Sequence, residues 1–92
     1  MLQAEQLCQQ ILHLDVDNAE ANHLYGNIAA YQEDKIDMAV HYIKKAIQRD
    51  SQNVNFHYSL GNILNNAGRL DEAIVCFKNT IAIKPDFAGV QN

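Results

Sequence analysis

Apolar side chains along the chain recur at steps of three and four. Leu60, Ile63, Leu64 and Ala67 stand at i, i+3, i+4 and i+7, the spacing that puts side chains on one face of an α-helix. Leu70, Ala73, Ile74, Phe77 and Ile81 repeat the arrangement a few residues later. Leu24, Tyr25, Ile28 and Ala29 predict another helix, Ile36, Ala39, Val40, Ile43 and Ile47 a fourth, and Leu7, Ile11 and Leu14 a shorter first one. No stretch alternates with period two, so strands are not expected. The fold class this predicts is all-α.

The breaks between these stripes have local chemical causes. Asp15–Asn18 (DVDN) and Asp50–Asn53 (DSQN) carry short polar side chains able to accept from the free N–H groups of the next helix. Gly68 suits a left-handed turn after the helix ending near Ala67. Asp71 and Glu72 then fall in the first turn of the following helix, where carboxylates complement its dipole, and Asp37 holds the matching place earlier. Pro85 cannot continue a helix and disfavours helical geometry at Lys84.

The stripes also repeat as a unit. Gly26 and Gly61 are 35 residues apart, while Ala39 and Ala73, Ala46 and Thr80, and Ser51 and Pro85 are each 34 apart. The odd residue lies in Ala30–Lys35 (AYQEDK), which is one longer than Asn65–Arg69 (NNAGR) and lacks its glycine. That loop is expected to build its turn by another route. Catalytic chemistry needs one copy of a motif, whereas architecture needs several, because a helix pair cannot bury its apolar face alone.

A two-helix unit of about 34 residues resembles the tetratricopeptide repeat. Leu60-Gly61, Ala73, Phe77 and Pro85 stand where that family has its Leu-Gly, Ala, Phe and Pro, giving one unit over 54–87. Tyr25-Gly26, Ala39, Ile43, Ala46 and Ser51 give a second over 19–53. Residues 2–18, with Ala4, Cys8 and Ile11, match the second helix of an earlier unit, and 88–92 read as the start of a truncated one. His57 and Asn22 replace the usual aromatic, Ala29 and Leu64 the usual Tyr, and Thr80 the usual second Ala. The resemblance implies a single right-handed helix-turn-helix solenoid over 1–92, with five antiparallel helices and a short C-terminal stub. Gly26, Gly61, Ala39 and Ala73 are expected to let neighbouring helices approach closely. With helices stacking at roughly 8–10 Å, Cys8 and Cys76 should be on the order of 20 Å apart, too far for the about 7 Å that a disulfide spans.

Composition narrows the range of partners. The chain has 92 residues, 48% hydrophobic and 20% charged, which suits a folded domain rather than a disordered one. A net charge of −4 argues against nucleic acid or an acidic membrane as the main partner. No apolar run approaches the roughly 20 residues of a membrane span. The polar first ten residues lack a signal-peptide pattern, so a cytoplasmic setting is expected. His13, His23, His41 and His57 form no i, i+4 pair, and the cysteines form no Cys-x-x-Cys, so neither a metal nor a cofactor is expected. No phosphate loop, nucleophile elbow or convergent carboxylate pair points to catalysis, and no catalytic residue is assigned. Lys35, Lys44, Lys45 and Arg49 read as a solvated face.

One constellation remains. Opposite the packing stripes, the first helix of each unit carries Glu20, His23, Asn27 and Ala30, then Asn55, Tyr58, Asn62 and Asn65, with Tyr31 and Asn66 adjoining. The steps are 3, 4 and 3 in both helices. In the family this face lines the concave groove that binds partners, so the resemblance makes these the candidate peptide-binding residues. Asn amides both donate and accept, and could grip a peptide backbone with little regard to its sequence. His23 and Tyr58 stand where a carboxylate-clamping subtype would have lysine, which disfavours that subtype. The repeats look similar to the arm of O-linked N-acetylglucosamine transferases and their bacterial relatives, although Leu24 and Ser59 replace that arm's usual Asn. A protein- or peptide-binding scaffold is therefore expected. The alternatives are the substrate-docking arm of a larger enzyme such as a glycosyltransferase, or a structural spacer. The last full helix is expected to turn Phe77 and Ile81 inward and Val75, Cys76 and Ile83 elsewhere. Only Phe87, Ala88 and Val90 would be left to cover that edge, which predicts self-association there.

Overall fold

A computed structural model describes residues 6–7, 9–12 and 18–87. Residues 6–7 and 9–12 are helical and are labelled α1. Four helices follow: α2 (Ala19–Ala29), α3 (Ile36–Arg49), α4 (Val54–Asn66) and α5 (Leu70–Ile83). No strand occurs among the described residues. Helices α2 and α3 pack as one pair, α4 and α5 as a second, and α3 lies against α4 to join them. This is the all-α class that the apolar spacing predicts, in the helical-repeat form that the resemblance implies. The expected stub at 88–92, the half unit's Ala4 and Leu14, and the Cys8–Cys76 separation lie outside the described residues.

Asparagine starts both first helices. The Asn18 side chain accepts from the Ala21 N–H at 2.9 Å, and that of Asn53 from the Asn55 N–H at 3.0 Å. Neither α3 nor α5 has a side-chain cap, and both carry acids in the first turn instead, Asp37 in one and Asp71 with Glu72 in the other. After α4, Gly68 takes φ +80°. The Arg69 N–H then reaches the Leu64 carbonyl at 2.8 Å and the Gly68 N–H reaches that of Asn65 at 3.1 Å, the paired bonds of a Schellman ending. The longer loop after α2 has no glycine and no left-handed residue. It turns through Tyr31 N–H to Ile28 and Gln32 N–H to Ala29, and then a 3-10 turn at Glu33–Lys35. Its extra residue replaces a positive φ with additional right-handed turning. Helix α5 ends at Ile83, and Lys84, before Pro85, is extended.

The core joins Ala29, Ala39, Val40, Ile43, Leu60, Ile63, Leu64, Ala73 and Cys76. A Cβ built on Gly61 would sit 2.5 Å from the Phe77 ring, and one on Gly26 would sit 2.7 Å from Ile43 and 3.0 Å from the Ala39 carbonyl. Both glycines are therefore the close-contact points between the helices of a pair. The three polar replacements are buried and tied to backbone. Asn22 Nδ2 donates to the Asn18 carbonyl at 2.9 Å, His57 Nε2–H to that of Ser51 at 2.8 Å, and Thr80 Oγ1 to that of Cys76 at 2.9 Å.

The stripe expected on α5 is partly wrong. Leu70, Ile74 and Ile81 are exposed, while Ala73, Cys76 and Thr80 are buried. Cys76, expected on the outer surface, is in the core. The small residues let α5 seat on its partners, which rotates the larger side chains to the flank. Leu24 and Ala67, also assigned to stripes, are exposed as well. The buried Cys76 thiol has its pKa raised, chiefly by desolvation, so it stays protonated and unreactive at neutral pH.

Overpacking at Gly61 should cost far more than pruning the outer face of the same helix. Gly61→Leu is expected to destabilise by roughly 1–3 kcal/mol or more, and Asn62→Ala/Asn65→Ala much less. Thermal melts in the reverse order would refute the assignment of faces.

Candidate functional site

Because α2 and α4 are the first helices of successive units, they lie side by side, and a groove of about 310 Å³ opens along them. Asn27, Ala30, Tyr31, Ile36, Ser59, Asn62, Ile63 and Asn66 line it. Ile36, Ile63 and Ala30 give it an apolar floor, and the amides and Ser59 give it hydrogen-bonding walls. No lining residue is charged. Tyr31 stands at the lip, 79% exposed.

Four of the sequence-expected residues, Asn27, Tyr31, Asn62 and Asn66, are thus brought together around one opening. His23 reaches the same place through its contacts. Its Nε2 lies 2.7 Å from Ser59 Oγ and 3.2 Å from Asn27 Nδ2, and its ring packs at 4.8 Å on Phe56. The amide nitrogen of Asn27 can only donate, so Nε2 accepts and the ring proton resides on Nδ1. Glu20, Asn55, Tyr58 and Asn65 are not among the lining residues. Glu20, Asn55 and Asn65 are exposed, and the Tyr58 ring packs against Phe87 at 4.9 Å and Phe77 at 6.0 Å. Ser59, read from the sequence as a missing asparagine, is instead the hydroxyl that meets His23 across the two units.

A second opening of about 530 Å³ adjoins the groove through Ala30, Ile36 and Asn66 and adds Asp37, Ala67 and Arg69. Arg69 forks across it. Its Nη2 donates to Glu72 Oε1 at 3.0 Å, its Nε to the other Glu72 oxygen, and its Nη1 to Asp37 Oδ1 at 3.2 Å. The hydrogen bond from Arg69 holds the Glu72 carboxyl below its usual range. The guanidinium thus links the two repeats at the surface, where such pairs contribute little to stability. Sequence reasoning did not mark Arg69, since only the fold brings it beside Asp37.

Among the described residues no group of three or more His, Cys, Asp or Glu side chains could hold a metal, and no helix is long and apolar enough to cross a membrane. Stacked antiparallel helix pairs with a polar groove along their first helices define a helical-repeat scaffold. The chain belongs to the tetratricopeptide repeat family, whose repeats match residues 19–53 and 54–87. Repeats of this family are generally protein–protein interaction modules. No curated protein sequence matches the chain. Among solved structures, it is similar to a variant O-GlcNAc transferase from Thermobaculum terrenum, with a TM-score of 0.85 and 27% identity over 94% of this chain and 17% of the other. It is also similar to MamA, with a TM-score of 0.83 and 28% identity over 94% and 50%. YrrB, described as a TPR protein with an unusual peptide-binding site, shares the fold at a TM-score of 0.80 and 21% identity, over 94% of this chain and 46% of its own. The chain therefore spans half or less of each of these proteins.

Burial lowers the pKa of His23 below 6.5, opposed by the nearby Glu20 carboxylate. On acidification the unfolded chain takes up this proton first. Stability should then fall as pH drops from about 6.5 towards the lower folded value, and His23 should contribute no slope above that window. An NMR titration of the His23 ring should give a midpoint below 6.5, and a midpoint at or above it would refute the half-buried network.

Proposed function

We propose that the chain binds an extended, uncharged segment of a partner protein along the groove between α2 and α4. The observation that supports this most is the lining itself, three asparagines and a serine over an apolar floor with no charged side chain. Asn27, Asn62 and Asn66 each offer a donor and an acceptor to a peptide backbone, while Ile36, Ile63 and Tyr31 receive its side chains. His23 acts as a positioning residue that holds Asn27. Glu20, Asn55, Tyr58 and Asn65 flank the path at its two ends. The working compartment is the cytoplasm, where the free thiol of Cys76 would persist.

A second reading is favoured by the similarity to the O-GlcNAc transferase. There the bound segment is an enzyme's substrate, and catalysis lies elsewhere. Both readings use the same groove and differ in what the partner becomes.

Peptides selected from a random display library against the chain should be poor in charge. Asn27→Ala or Asn62→Ala should each weaken their binding by about 1 kcal/mol, roughly fivefold in Kd. Raising salt from about 50 to about 500 mM should change Kd only slightly, because the groove offers no charge to screen. Selected peptides that are strongly acidic, lose affinity steeply with salt and ignore both substitutions would place binding on the Lys44–Arg49 surface instead.

A further inference from the structure

From a half-buried ring packed on Phe56, His23 holds two lining residues of the groove at once, Asn27 on its own helix at 3.2 Å and Ser59 on α4 at 2.7 Å. Both bonds end on the same atom, Nε2. While that nitrogen is bare it accepts, the Asn27 amino group faces it as a donor, and Oδ1 is the Asn27 atom left to accept from a ligand. A proton on Nε2 turns the acceptor into a donor. Ser59 adapts, because a hydroxyl rotates and can either donate or accept. Asn27 does not, because its amino group would then face an N–H, donor against donor. To pair again the amide must turn over, which gives Oδ1 to the imidazolium and the amino group to the groove.

We infer, on the groove reading above, that the site is acid-sensitive: Asn27 Oδ1 accepts a peptide N–H while His23 is neutral, and protonation of His23 withdraws that acceptor and weakens binding. Burial of the ring disfavours the proton, and Glu20, one turn back on α2, favours it. Helix α4 brings Phe56 and Ser59 to the ring and points its titrating side chains elsewhere, His57 to the Ser51 carbonyl and Tyr58 to Phe77 and Phe87. None of Asp37, His41, Lys44, Lys45 and Arg49 on α3 acts on it, and the described residues of α1 carry no titrating group. Burial outweighs Glu20, so the folded ring takes its proton below 6.5. Affinity is therefore whole at neutral pH and falls as pH drops through that lower value. Ser59 keeps a bond to the ring in both states, so the two repeats stay joined while Asn27 is withdrawn.

The probes are end-blocked peptides without His, Asp or Glu, selected at neutral pH from a random display library. Their binding is measured by calorimetry at about pH 7.5 and at about one pH unit below the midpoint of the His23 ring in the folded chain. Kd should rise about fivefold at the lower pH, the worth of the Asn27 hydrogen bond. Asn27→Ala should bind weakly and equally at both. His23→Gln, which keeps an acceptor at that place without a titrating proton, should also be flat between them. With no peptide present, the side-chain amide NMR signal of Asn27 should shift together with the His23 ring, at one midpoint below 6.5. Peptides that feel Asn62→Ala yet bind the unaltered chain equally at both pH values overturn the inference and leave the groove reading standing. So does an Asn27 amide that ignores the titration of the ring. Peptides indifferent to both Asn62→Ala and Asn27→Ala overturn the groove reading, and the inference with it.

Discussion

The absence of a side chain at two positions sets the geometry of this solenoid. Gly26 lets α2 rest on Ile43 and the Ala39 backbone, and Gly61 lets α4 rest on the Phe77 ring. At these distances even a methyl group must displace a neighbour, so each helix pair closes on a glycine. Ala39 and Ala73, at 0% and 2% exposure, keep the opposing helices equally slim at the crossing. The relative placement of α2 and α4, and hence the groove between them, is inherited from these contacts.

The polar residues buried near this framework each make a local hydrogen bond. Asn22 and His57 occupy equivalent positions, 35 residues apart, and donate backwards along the chain, Asn22 to the carbonyl of the capping Asn18 and His57 to that of Ser51 in the turn before α4. Each side chain that replaces an aromatic ring thereby ties its helix to the residues at or before its start. Thr80 returns its hydroxyl to the carbonyl four residues back, as a buried threonine in a helix can. Of these bonds only that of His57 crosses between units, to Ser51 at the end of the preceding one. The repeats are further joined by the apolar contacts between α3 and α4, by His23 with Ser59, and at the surface by Arg69.

Function, as proposed, uses what the stacking leaves over. The large apolar residues face the junctions, so the first helices turn small polar residues towards the groove. The lining is consequently neutral even though the chain as a whole is acidic.

The helices, their order and the repeat could be read from the sequence because each depends on short-range spacing. Three- and four-residue apolar steps, Asn18 and Asn53 before their helices, Gly68 after α4 and Pro85 after α5 all act within one or two turns. The small residues at the crossings were legible too, since repetition 34 or 35 residues apart marked Gly26, Gly61, Ala39 and Ala73. Rotation of each helix about its own axis was not. Cys76 is buried, and Leu24, Leu70 and Ile74 exposed, because the direction a stripe faces depends on which neighbour lies on which side. Candidate groove residues could be named by face, but only the packed repeats gather Asn27, Tyr31, Asn62 and Asn66 and exclude Asn55 and Asn65. Ser59 meeting His23, and Arg69 meeting Asp37, are contacts between units, and their geometry comes from the stacking of one helix pair on the next.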